Sequence, residues 1–544
     1  MKKHFLRTLA VVVLLLIVSA CPSPVSNQPV NQTIILTVTT TPDTGLRVKI
    51  DNVEYISPKS LQVTAGSHTI EVITPQEKDN STHVSGNDTR YIFDRWNDNN
   101  TENPRTVNVT GDITYTAQMK VQYKVEFEVE GSGTVSGASE GYYDSESTVT
   151  ITASPDSGYI LDHWEVNGVD FGNSNPLQLT VNEPKHVKAV FVVSTMTVSE
   201  KYQININSIT GPIYSSPAMG PDGAIYIGAQ GGYAVILPAD YSYYLSVSSI
   251  FPVWSSPVVD YQSNTVYFVD NGGYLHIYYP DMTYTTSFEI SNYSIYAAPV
   301  IKDNYIYVVD LSGNVIRVDI YNPSSYTVIC SLNEEVRSSP VVVYDMIFIA
   351  TSNGYIYAMD PSGYIVWQKQ LSDTFFGGFA VDKYGNLYIA GEKLWCIDPW
   401  NGNTKWSYEL SGQAYGSPVI SESGVVYIGD ISGTLHAVDS LSGNLIWSEE
   451  GLGSILSTCV IGDNNIIYVA AGTCVFALSS NGDIMSYIEL ENFIESSPLL
   501  HFGKLFVADE AGYFYVINAL SYSIQDPNES WPMFQKNWYH TAIR

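Results

Sequence analysis

Apolar and polar residues alternate in short runs along most of the chain, and from Tyr214 onward the runs recur on a fixed period. Each period opens on Ser-Pro or a close variant. A short apolar run follows, then an aromatic residue paired with Ile or Val, then usually a glycine and a second short run. The opening positions are Pro217, Pro257, Pro299, Pro340, Phe379, Pro418, Cys459 and Pro498, spaced by 40, 42, 41, 39, 39, 41 and 39 residues. Short strands on a period of about 40 predict a β-propeller, one blade per repeat. Residues 200–520 are therefore expected to form eight blades.

The sixth repeat shows the four strands of a blade. They are Ser417-Pro418-Val419-Ile420, Val425-Val426-Tyr427-Ile428, Leu435-His436-Ala437-Val438 and Leu445-Ile446-Trp447-Ser448. Gly433 and Gly443 fall at hairpin turns that need positive φ. The last repeat lacks a fourth strand after Ala519. Lys201-Tyr202-Gln203-Ile204-Asn205-Ile206 stands ahead of the first repeat, where it would complete the last blade and remove the open sheet edge.

Strand-like alternation also fills two earlier stretches, residues 33–120 and 121–196. Each ends alike. Tyr91-Ile92-Phe93-Asp94-Arg95-Trp96 precedes Thr106-Val107-Asn108-Val109; Tyr159-Ile160-Leu161-Asp162-His163-Trp164 precedes Leu177-Gln178-Leu179-Thr180-Val181. The expected fold class is all-β: a C-terminal eight-bladed β-propeller with two small N-terminal β modules. Trp96 and Trp164 are expected to be core anchors.

Composition narrows the function. The chain has 544 residues and a formal charge of −30, which excludes a nucleic-acid partner in need of a basic face. Lys2, Lys3 and Arg7 precede an apolar stretch from Leu9 to Val18 that is short for a membrane span. Val18-Ser19-Ala20-Cys21 follows and resembles the bacterial lipobox, in which cleavage leaves a cysteine that is acylated. That resemblance implies a lipoprotein signal peptide at residues 1–20, lipidation of Cys21 and a bilayer partner reached through its acyl chains. Pro22, rather than Asp, implies outward sorting to the outer membrane or cell surface. Residues 21–32 are rich in Pro, Ser, Asn and Gln and read as a tether. Cys330, Cys396, Cys459 and Cys474 lack metal-ligand spacing; Cys459 and Cys474 are either bonded to each other or buried thiols.

Three further resemblances carry expectations. Gly131-Ser132-Gly133-Thr134-Val135, Thr152-Ala153-Ser154-Pro155, Trp164 and Ala189-Val190-Phe191 resemble the divergent internalin-type B-repeat of bacterial surface proteins. The first half of the preceding module resembles a PEGA-type surface module. Asp360-Gly363-Trp367, Asp398-Gly402-Trp406 and Asp439-Gly443-Trp447 resemble the repeat of pyrroloquinoline-quinone-type propellers, where the tryptophan packs between neighbouring blades. Asp360, Trp367, Asp398, Trp406, Asp439 and Trp447 are thus structural blade-docking residues by resemblance. Ser486 replaces the tryptophan in the seventh repeat, and repeats one to three also lack it. The tail, residues 521–544, carries Trp531-Pro532-Met533-Phe534 and Trp538-Tyr539-His540-Thr541, and resembles a segment that packs near propeller ends in this superfamily.

The quinone enzymes of that superfamily hold their cofactor under adjacent cysteines, and no Cys-Cys pair occurs here. No GxSxG, HExxH or P-loop is present. His276, His436 and His501 come from different repeats, and Glu334-Glu335 and Glu449-Glu450 fall at blade connections. The expectation is no catalytic residue, no metal and no cofactor. The chain reads as a non-catalytic cell-envelope lipoprotein scaffold whose propeller binds a protein or polysaccharide partner, with envelope or outer-membrane assembly as one setting. The alternative is a small-molecule-binding, glycan-binding or enzymatic propeller. Aromatic clusters at Tyr241-Tyr243-Tyr244, Tyr278-Tyr279 and Phe375-Phe376 serve either sugar stacking or blade packing.

Overall fold

The computed structural model describes residues 33–77, 88–156, 158–236, 244–279, 284–528, 530–537 and 540. The leader, Cys21, the tether, Tyr241, Tyr243, Trp538, Tyr539 and Thr541 lie outside the described residues. No described residue is helical. The chain divides into two compact units. One holds the residues up to Lys124 with 141–147 and 180–184; the other holds 125–140, 148–179 and 185–544.

Eight four-stranded antiparallel sheets run from Thr197 to Asn518 in the second unit, a propeller-type all-β fold. The sixth is built from Val419–Ile420, Val425–Gly429, Leu435–Asp439 and Leu445–Glu449. Second strands such as Ile225–Ala229 and Ile467–Ala471 are buried at every residue, because neighbouring sheets cover both faces. Every second strand carries a buried aromatic: Tyr226, Tyr267, Tyr307, Phe348, Tyr388, Tyr427, Tyr468 and Phe506. Burying such a side chain contributes roughly 1.5–3 kcal/mol. Outer strands such as Thr404–Glu409 have solvent on one side and alternate in exposure.

The last sheet closes the ring. Its strands Leu499–His501, Lys504–Ala508 and Tyr513–Asn518 take their fourth member from Thr197–Gln203, with Lys201 opposite Tyr515. The closing strand starts four residues before the predicted Lys201 and stops at Gln203. Ile206 bridges to Ile209 instead.

Neighbouring sheets are joined through the third hairpin. Trp367 Nε1 donates to Pro399 O (2.8 Å), Trp406 Nε1 to Ser440 O (2.9 Å) and Trp447 Nε1 to Ser480 O (2.8 Å), each one sheet further on. Each indole lies against a glycine of that hairpin. A Cβ on Gly402, Gly443 or Gly482 would come within 2.8, 2.6 or 2.9 Å of the ring. Asp360, Asp398 and Asp439 act within their own turns: the carboxylate accepts backbone N–H groups of Ser362 and Tyr364, of Trp400, and of Ser442. The third sheet reaches the fourth by another residue, Arg317, whose Nη1 donates to Pro361 O (3.0 Å). In the seventh, Ser486 Oγ accepts from Met196 N (3.3 Å). Cys459 and Cys474 are free thiols, one buried and one half-buried, so the bonded option falls.

The two N-terminal modules share one pairing scheme. In the first, Ile34–Thr41 runs parallel to the strand that starts at Ile113, and Thr89–Trp96 runs antiparallel to it. In the second, residues 125–130 run parallel to Lys185–Val193, and Tyr159–Val166 runs antiparallel to that strand. Trp96 and Trp164 are fully buried, and their Nε1 atoms donate to Glu102 O and Ser174 O.

Deleting residues 200–207 should expose the edge at Tyr513–Asn518 and replace one cooperative thermal transition by a broad one; an unchanged melt would contradict the closure. Trp406→Ala should cost ~3 kcal/mol by leaving a void beside Gly443 and removing one of the two donors, with Tyr388 Oη, that Ser440 O accepts from, read as a lowered denaturant midpoint.

Candidate functional site

The opening triplet of each repeat builds the channel at the centre of the ring. Its first residue serves its own sheet. Ser255 Oγ donates to Val269 O, Ser338 Oγ to Ala350 O and Ser496 Oγ to Ala508 O. Its second residue serves the next sheet. The N–H of Ser216 donates to Ser256 Oγ (2.8 Å), Ala298 to Ser339 (3.0 Å), Gly378 to Ser417 (2.8 Å), Ser417 to Thr458 (2.8 Å), Thr458 to Ser497 (2.9 Å), and Ser497 back to Ser216 (3.1 Å). Where Ala298 or Gly378 supplies no hydroxyl, the corresponding link is missing.

One residue earlier stands a large side chain: Tyr214, Trp254, Tyr296, Arg337, Phe376, Tyr415, Leu456 and Glu495. These eight, with the hydroxyl belt and Phe534, enclose a cup of about 150 Å³. Tyr214 and Trp254 meet edge to face at 5.2 Å, Trp254 and Tyr296 lie tilted at 5.7 Å, and Phe376 stacks on Tyr415 at 4.7 Å. The Arg337 guanidinium lies 5.0 Å from the Tyr296 ring centre and its Nε donates to Glu335 (2.7 Å). Diagonally across, Glu495 is hydrogen-bonded to Glu510. Burial, then that bond and the like charge, push its carboxyl up to about 7.

The tail closes the opposite end. Trp531 and Ile420 exchange backbone hydrogen bonds, Ile461 N donates to Pro532 O, and His540 Nδ1 bonds to Pro257 O at 2.9 Å. Ile420 and Ile461 end inner strands of the sixth and seventh sheets, whereas Pro257 opens the second, so the tail crosses the channel. Trp531 and Met533 are buried, and burial pushes His540 down to about 4.

The remaining candidates resolve into packing. His276 bonds to Asp270 and Ser287, and His436 to Asp430 and Tyr408. Asp270 and Asp430 also accept the N–H groups of the following turn, as do Asp310 and Asp509. The spacing Asp-x5-His, seen twice, was the available signal for these pairs. Tyr278 and Phe375 are core residues, whereas Phe376 faces the cup. The paired carboxylates at the channel are Glu495 and Glu510, fifteen residues apart and so invisible to a search for adjacent acids.

A second polar cluster joins the second module to the seventh and eighth sheets. Asp162, His163 and Asp463 place ligand-type atoms within 4.8 Å of one another, the one such metal-competent group among the described residues. Its donors are already engaged. His163 Nδ1 donates to Asp162 (2.8 Å), Asn464 Nδ2 donates to Asp162 (2.7 Å), and Asp463 accepts from the N–H of Ser523 and Asn464. The His163 ring lies 6.0 Å from that of Tyr522, whose hydroxyl bonds to Glu130. Burial opposes a charge on His163, but the Asp162 bond and the carboxylates of Asp162, Asp463 and Asp170 prevail and raise it to about 9. Burial and Asp162 hold the Asp463 carboxyl up, at about 8. The cluster is a clamp whose cation is protonated His163.

With this geometry in place, the chain can be set beside known proteins. Residues 352–487 match the sequence family described as outer membrane protein assembly factor BamB. Residues 123–195 match the divergent InlB B-repeat domain. The chain carries a BamB-like propeller repeat and a B-repeat. No curated protein matches it. Among solved structures it resembles BamB from Moraxella catarrhalis at 16% identity and a TM-score of 0.50, over 59% of this chain and 99% of that one. It also resembles the designed protein Ika8 (13%, 0.48, over 58% and 99%) and the C-terminal WD40 domain of Sif2 (14%, 0.49, over 59% and 99%). At these identities the likeness is one of fold.

The clamp generates a pH dependence. His163 takes up a proton on folding between its ordinary 6.5 and about 9, and Asp463 between 3.8 and about 8. Both contributions are fully present at low pH and fade as pH rises, levelling above about 9. His163→Gln should flatten the fall in thermal midpoint between pH 6.5 and 9 relative to the parent; parallel curves would show that the clamp does not titrate there.

Proposed function

We propose that this chain is a non-catalytic lipoprotein scaffold of the cell envelope. Residues 1–20 direct export, acylated Cys21 holds the chain to a bilayer, and residues 21–32 tether it. Residues 33–120 and 121–196 act as spacers. The propeller of residues 200–520, sealed by the tail of residues 521–544, presents its open face to a protein partner, in outer-membrane or envelope assembly.

The plugged channel carries this reading. The tail crosses one end through backbone bonds to Ile420 and Ile461, and the cup at the other end encloses about 150 Å³. Pockets for drug-sized ligands and cofactors span about 300–1,000 Å³. Each hydroxyl lining the cup already accepts an N–H of the neighbouring sheet, which holds its oxygen in the belt. The match of residues 352–487 to the BamB family points the same way. The stacked pair Phe376 and Tyr415 at the cup is what favours the second reading, a small-molecule- or glycan-binding propeller.

The test is capture from the organism's own envelope with the full lipidated chain as bait. A recovered protein partner, and release of a Cys21→Ala chain from the membrane fraction, are expected. Recovery of no partner together with saturable quinone or sugar binding would overturn the scaffold in favour of the second reading.

A further inference from the structure

Seven of the eight positions that ring the open end of the channel carry aromatic residues, arginine or leucine; the eighth carries Glu495. Glu495 is half-buried and hydrogen-bonded to a second carboxyl, Glu510, and Glu510 is the charge that acts on it. Two like charges held together out of water are costly, and a cation placed beside them relieves that cost. Arg337 does not supply it, because its guanidinium is engaged by Glu335 and Tyr296.

The surroundings suit a particular kind of cation. Tyr214 flanks the acid pair, and its phenol is pushed up by burial, then by Glu495 and Glu510. Trp254 stands next to it in an edge-to-face contact. Aromatic rings beside a carboxylate pair bind a cation through their faces and pack against an apolar stem. A void of about 150 Å³ has room for one long side chain and little more. The chain as a whole carries a formal charge of −30, which draws a basic partner toward it.

We propose that the cup receives a single arginine or lysine side chain from an extended segment of the partner polypeptide, seated against Glu495 and Glu510 and walled by Tyr214 and Trp254. This rests on the protein-binding reading of the propeller and adds the chemistry of its anchor. Binding needs the acid pair fully charged, so it weakens as pH falls below about 7. Tyr214 also faces the pair, and burial and the two acids keep its phenol neutral over that range.

The experiment uses the full exported chain and capped Gly-Gly-Arg-Gly-Gly, with the citrulline peptide as its neutral isostere, followed by Trp254 fluorescence and calorimetry. At pH 8 the arginine peptide is expected to bind at least about tenfold tighter than the citrulline peptide. That preference should vanish in Glu495→Gln and shrink at pH 6, and Tyr214→Ala should weaken it independently. Equal binding of the two peptides, no saturable binding of either, or an intact preference in Glu495→Gln overturns the inference. Envelope capture separates the two levels. A partner held equally by the parent and by Glu495→Gln removes the cup as anchor and leaves the scaffold; a parent chain that captures nothing removes the scaffold itself.

Discussion

The structure depends on a hydrogen bond made between sheets rather than within them. A backbone N–H at the centre of one sheet donates to a hydroxyl at the same level of the next, and the last such bond runs from Ser497 to Ser216. Each contributes only about 1 kcal/mol net, but a buried N–H left without a partner costs roughly 1–3 kcal/mol. The belt therefore selects the closed ring over open arrangements. It also explains the Ser-Ser-Pro motif: the first hydroxyl fastens a strand to its neighbour within the sheet, the second fastens the sheet to the next. Small residues are required at both positions, and the large ones are displaced one step outward, to the mouth of the channel.

That displacement divides the channel into two ends. At the inner-strand termini, Ile420 and Ile461 offer backbone groups that the tail takes up, and His540 anchors it on the far side. At the opposite end the outward residues have no such cover. They form a collar of five rings with one arginine, one leucine and one acid. Scaffold and site thus come from the same three-residue segment, read at adjacent positions.

Much of this was legible from residues alone. The period gave the sheets, the missing last strand gave the closure, and Gly-x3-Trp shortly after an aspartate gave the indole contacts, because an interaction repeated in consecutive copies leaves a repeated spacing. What occurs once leaves none. Arg317 does the work of a tryptophan from the third strand instead of the fourth, so it breaks the spacing while preserving the acceptor, a carbonyl in the next turn. The aspartates of the motif share its spacing with the tryptophans, yet they hold their own hairpins. Glu495 and Glu510 meet across two loops of one sheet, and Asp162, His163 and Asp463 meet across about 300 residues of chain.

The two N-terminal modules show how far a shared design can outlast its sequence. Asn103 clamps Val72 through both its amide atoms (2.8 and 2.7 Å), and Asn175 clamps Ala153 in the same way (2.9 and 2.8 Å). In each module a buried tryptophan ties down the loop that carries the asparagine. In sequence the first module resembles the second only in its tryptophan half, because its strands before residue 75 differ in length and side chains. The pairing scheme, the indole bond and the amide clamp are nonetheless the same. A module that repeats its internal fastenings while much of its sequence diverges is constrained by its own core.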